Sequence, residues 1–110
     1  MKPEWKYPRV RVRFRSSFFS AEMVAGEGLL KHLSVRGCRI SSALPILVGA
    51  ELQICLFLTD REQEAPVTID RALVQWIDKG EFGVEFLELG DEAPEQIRRF
   101  VRRFVLDKSA

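Results

Sequence analysis

Histidine is nearly missing from this 110-residue chain, which has one, and cysteine is scarce at two. His32, Cys38 and Cys55 are too few for a zinc set, which takes four ligands in closely spaced pairs, so no bound metal is expected. A disulfide framework is not implied either. Both cysteines lie in alternating apolar segments, where free buried thiols are common. Ser34 follows His32 by two positions and would share its side of a strand, yet there is no Gly-x-Ser-x-Gly elbow and no second histidine. The chain therefore offers no catalytic set and is not expected to be an enzyme.

An excess of one charge is also lacking: 17 Lys and Arg stand against 16 Asp and Glu, a net +1. That balance supplies no global field toward nucleic acid or an anionic membrane, and nucleic-acid binding is not expected. No apolar run approaches the roughly 20 residues that span a bilayer. The opening MKPEWKYPR has no apolar stretch of the secretory kind, so the expectation is a cytoplasmic protein without membrane insertion. Repeats and low-complexity tracts are absent. The length fits one domain, expected over 9–107, with a flexible segment at 1–8 and a tail at 108–110.

What is present is alternation. In RVRVRF, residues 9–14, Val10, Val12 and Phe14 alternate with Arg9, Arg11 and Arg13, the period of a strand with one solvated face. Residues 28–35 and 37–41 read as two short strands hinged at Arg36 and Gly37, and 50–59 as another, with Leu52, Ile54, Leu56 and Leu58 on one side. DREQEAP, 60–66, reads as a polar loop. The run 67–77 turns Val67 and Ile69 inward but continues with Ala72, Val74 and Trp76, a slip of phase that predicts a bulge near Asp70 and Arg71. Asp78-Lys79-Gly80 predicts a hairpin turn, and 81–89 the returning strand.

Beyond Gly90 the period changes. Ile97, Phe100, Val101, Phe104 and Val105 fall at helical spacing, an aromatic and aliphatic stripe that reads as core. The opposite face carries Arg98, Arg99, Arg102 and Arg103, which reads either as a solvated surface or as a binding patch. The expected fold class is mainly β, with six antiparallel strands in a barrel or sandwich and one C-terminal helix.

The order of these parts resembles the PilZ domain, a six-stranded antiparallel β-barrel with a C-terminal helix that serves bacterial signalling by cyclic di-GMP. The family's Arg-x-x-x-Arg motif ends in Pro-Arg-Val before the first strand; WKYPRV, residues 5–10, matches it with Arg9 in the second arginine's place and Trp5 in the first's. The family's Asp/Asn-x-Ser-x-x-Gly motif corresponds to HLSVRG, residues 32–37, with Ser34 and Gly37 in place and His32 at the acidic or amide position. GVEFLEL, 83–89, looks like the family's last strand.

The resemblance implies a cyclic di-GMP site at Arg9, Ser34 and Gly37, with Trp5, Lys6, His32 and Arg36 as neighbours. No cofactor is implied beyond that regulatory ligand. Its guanines and phosphodiesters call for guanidinium forks and for an acceptor opposite the guanine N–H groups. Trp5 supplies no fork, though its ring can stack on a base, and Lys6 is a point charge. Neutral His32 accepts through one nitrogen, protonated through none. Arg9-x-x-x-Arg13 and Arg11-x-x-x-Arg15 repeat the bare spacing, but from within the strand. Read without a ligand, Arg9 is an ordinary solvated strand residue, and Ser34 and Gly37 are turn chemistry.

Two functions follow. One is a non-enzymatic module that binds cyclic di-GMP and relays it through protein contacts in motility or biofilm regulation. The other is an adaptor of the same fold that does not bind the nucleotide and acts on a protein partner, as in type IV pilus assembly.

Overall fold

The computed structural model describes residues 9–20, 25–60 and 63–109. Six strands, β1 (Arg9–Ser20), β2 (Ala25–Ser34), β3 (Gly37–Ser41), β4 (Glu51–Asp60), β5 (Gln63–Asp78) and β6 (Glu81–Leu89), precede one helix, α1 (Ala93–Ser109). The strands close into a barrel in the order β1-β2-β3-β6-β5-β4, and every pairing is antiparallel. Closure gives every strand a neighbour on both sides, with β1 meeting β4 through Ser16–Ser20. The expected fold class is therefore the observed one.

The alternation seen in the sequence sets which side of each strand faces the core. Val10, Val12, Ile54, Leu56, Val67, Ile69, Val74, Phe82 and Val84 are all buried, while Arg9, Arg11 and Arg13 lie exposed on the outer wall. Apolar burial of this extent is the main stabilising term for a domain of this size. Helix α1 lays Ile97, Phe100 and Val101 on the barrel, and Phe100 meets Phe14 edge to face at 5.5 Å between ring centroids. Side chains from Phe104 onward lie outside the described set, so that part of the expected stripe does too. The helix runs through Ser109, into the stretch read as a tail. The segment 1–8 lies outside the described residues.

Two local expectations hold in detail. Leu52 pairs with Ala72 and Ile54 with Ile69, so β5 carries one extra residue there, the bulge expected at Asp70 and Arg71. It rotates Ala72 and Val74 back into register with the interior, but Trp76, expected inward as well, is turned onto the outer wall over Gly83 by a second irregularity between Val74 and Trp76. At the β5–β6 hairpin, Lys79 and Gly80 both take positive φ, 51° and 80°, the conformation of a two-residue type I′ turn.

One expectation fails. The stretch 60–66 is not a polar loop: β4 continues to Asp60, β5 starts at Gln63, and Thr59 pairs with Glu64 and Phe57 with Pro66. Strand pairing there is carried by the backbone ladder, whose hydrogen bonds are indifferent to side-chain polarity. β1 and β2 are likewise longer than their apolar runs, reaching Ser20 and starting at Ala25.

Candidate ligand-binding site

The end of β2 and the start of β3 make a tight two-residue turn at Val35 and Arg36. Ser34 is fully buried, and its hydroxyl closes the turn: Oγ accepts from the Arg36 N–H at 3.2 Å and lies 3.4 Å from the Gly37 carbonyl as donor. The Arg36 carbonyl accepts from the Phe86 N–H at 2.8 Å, which ties the turn to β6. Gly37 is buried and opens β3 opposite Glu85. Left-handed backbone among the described residues occurs at Gly49, Lys79 and Gly80, so Gly37 does not serve the turn through a positive φ.

Arg9 faces this turn from the neighbouring strand, directly opposite Ser34 in the β1–β2 ladder. Three residues singled out in the sequence, Arg9, Ser34 and Gly37, thus meet at one corner of the barrel, with Arg36 exposed on the turn between them. Trp5 and Lys6 lie outside the described residues. His32 and Ser34 do not form a nucleophile and base: the serine is turned into its own loop while the imidazole stays half-exposed on the wall.

His32 owes its outward position to an irregularity. Leu30 pairs with Ile40 and His32 with Arg39, leaving Lys31 as an extra residue in β2. The bulge keeps Leu30 and Leu33 buried and turns both Lys31 and His32 outward. His32 then lies opposite Arg11 on one side and Arg39 on the other. Its pKa falls below the ordinary histidine value through burial first, then through the charges of Arg39, Arg9 and Arg11; Glu81 opposes them. The imidazole is neutral at pH 7.

The row continues across the barrel. Arg39 pairs with Gly83 on β6, and Gly83 with Trp76 on β5. The Trp76 ring lies over Gly83 and meets the Arg39 guanidinium 5.3 Å from its centroid. Glu81 holds Arg39 through Nε and Nη2 and sits 3.8 Å from the Lys31 ammonium. Neither Arg39 nor Glu81 carries a motif signature. The available signal was only that Arg39 alternates outward between Cys38 and Ile40. On another part of the wall, Arg71 bridges Glu51 at 2.8 Å and Glu88 at 2.6 Å, an exposed cluster of one cation between two carboxylates. Among the described residues no group of His, Cys, Asp and Glu could hold a metal ion, and no helix is long and apolar enough to cross a membrane.

Comparison with known proteins places these features in a family. The family model of the PilZ domain matches residues 5–103. No curated protein matches the sequence. Among solved structures, the Bacillus subtilis inhibitor of motility, MotI/DgrA, superposes with a TM-score of 0.81 at 16% identity, covering 99% of this chain and 55% of that one. The chain thus spans little more than half of that protein's length. The PilZ domain of YcgR from Escherichia coli, solved with c-di-GMP, gives 0.64 at 14% identity over 96% of this chain and 95% of that one. The PilZ domain of CeSA from a cellulose-synthesizing bacterium gives 0.63 at 14% identity over 87% and 96%. At such identities the likeness is one of fold.

Proposed function

We propose that this chain, which belongs to the PilZ domain family, is a non-enzymatic signalling module that binds cyclic di-GMP between its WKYPR segment and the HLSVRG turn. The ligand then changes the surface offered to a protein partner. One observation carries the reading: Arg9 and Ser34, from two motifs far apart in sequence, lie directly opposite each other on adjacent strands, with Gly37 at the same corner. A guanidinium fork beside a backbone-rich turn suits the guanine edge or the phosphodiester of such a ligand. A PilZ domain of the same fold has been solved with c-di-GMP. Another relative is an inhibitor of motility, and a role in motility in the cytoplasm follows by analogy.

The site is weaker than the full motif. Each good bidentate contact is worth about 1–3 kcal/mol, and Trp5 removes one. Binding is expected in the micromolar range or weaker. Titration with cyclic di-GMP up to millimolar, followed by calorimetry and amide chemical shifts, tests the reading. Saturable shifts at Arg9, Ser34 and Gly37 are expected.

A titration without saturable shifts favours the second reading, an adaptor working through protein contacts alone. The observation behind it is the exposed arginine face of α1, where Arg98 pairs with Glu95 at 2.9 Å and Arg99 and Arg102 point to solvent. Such a face suits an acidic partner surface.

A further inference from the structure

We infer that the cross-strand row Arg11–His32–Arg39 is a seat for one phosphodiester anion, extending the ligand site from the Ser34 turn along the outer wall of the barrel. The inference rests on the proposed cyclic di-GMP reading and names which side chains beyond the motifs take its charge.

The geometry points this way through register. Arg11, His32 and Arg39 occupy consecutive positions across β1, β2 and β3, with Arg9 one step along beside the turn. Backbones of alternate strands are about 10 Å apart, so an anion above His32 is within side-chain reach of Arg11 from β1, while Arg39, held toward Glu81 and Trp76 on its other side, flanks it from β3. Like charges facing each other across a sheet are destabilising, and a row of this kind is satisfied by an anion above it. Glu81 serves Arg39 from the β6 side. It uses Nε and Nη2, and the fork keeps the donors on Nη1. On the β1 side, among the described residues, Arg11 forms no ion pair. A planar guanidinium on each side with an imidazole below matches the oxygens of a phosphodiester.

His32 gives the seat a signature. The groups around it are Arg9 and Arg11 from β1, Lys31 on its own strand, Arg39 from β3 and Glu81 from β6. In the free protein the arginines and partial burial disfavour the imidazolium. An anion over the row cancels those charges and favours it, so binding takes up a proton. The histidine pKa is higher in the complex than in the free protein. Affinity therefore rises as pH falls through the window between those two values, by up to about tenfold per unit for one proton.

The test is calorimetric titration with cyclic di-GMP from pH 7.5 to 5.5, with the His32 imidazole resonance followed in both states. Expected are tighter binding at low pH, a His32 midpoint moved upward by the ligand, and loss of the pH dependence in His32→Gln. Arg11→Gln, an exposed residue with no ion pair among the described residues, should weaken binding about tenfold at pH 6. Glu81→Gln, which removes a competing carboxylate, should tighten it. Binding that is independent of pH and unmoved by Arg11→Gln overturns the seat while leaving the proposed function standing. Absence of binding at every pH overturns both.

Discussion

Trp76 lies flat over Gly83: a Cβ built at residue 83 would stand 2.2 Å from the indole Nε1 and 2.3 Å from Cε2. The two are also ladder partners on β5 and β6. The glycine is therefore the floor on which the indole rests, and the indole in turn is the surface under Arg39. Gly83→Ala should displace the ring and cost about 1–3 kcal/mol, the usual price of overpacking. Urea denaturation reads the loss of stability. Tryptophan fluorescence in a Trp5→Phe background reads the movement of Trp76.

Ser34→Ala removes a buried hydroxyl that both accepts from Arg36 N–H and faces the Gly37 carbonyl. The expected loss is about 1–2 kcal/mol without any ligand present, seen as a lower denaturation midpoint at unchanged slope. A ligand-contact role alone would leave that midpoint where it is.

Lys79 holds a left-handed conformation, φ 51°, next to Gly80. Asparagine tolerates this geometry better and Asn-Gly is the favoured type I′ pair. Lys79→Asn should raise stability by up to about 1 kcal/mol, measured as a higher thermal midpoint. A fall would show that Lys79 makes a contact that offsets its strain.

The cysteines should separate by reactivity. Cys38 is fully buried, and burial pushes its thiol far above the ordinary range. Cys55 is half-buried, raised by the same cause, and lines a shallow groove with Ser17, Phe19, Gln53 and Thr68. With a chromogenic disulfide at pH 8, Cys55 should react slowly in the native protein and Cys38 only on unfolding.

Trp5→Arg restores the missing fork of the first motif. Cyclic di-GMP affinity at pH 7.5 should then increase about tenfold or more, by calorimetry. An unchanged affinity would mean that WKYPR is not aligned with the ligand as its spacing suggests.

Much of the fold was legible because the signals are local. The period of Val10, Val12 and the arginines, the phase slip at Asp70 and Arg71, the Asp78-Lys79-Gly80 turn and the helical spacing of Ile97, Phe100 and Val101 each depend on a few neighbouring residues. The polar stretch 60–66 was misread for the complementary reason. Its strand pairing rests on backbone hydrogen bonds and leaves no trace in hydropathy. At the site, Arg9, Ser34 and Gly37 were legible from motif spacing and do lie at one corner. Arg11, Arg39, Glu81 and Trp76 were not, since nothing in the sequence relates them.

The amino-acid sequence by itself determined six strands, their inward faces, the bulge, the hairpin turn, the terminal helix and membership of a family, all through short-range periodicity and motif spacing. Only the tertiary structure decided that Arg11, His32, Arg39, Gly83 and Trp76 form one row across five strands. Neighbours in that direction are set by register and strand order. The extra residue at Lys31 shifts the first, and closure of the barrel, which seats β3 beside β6, sets the second.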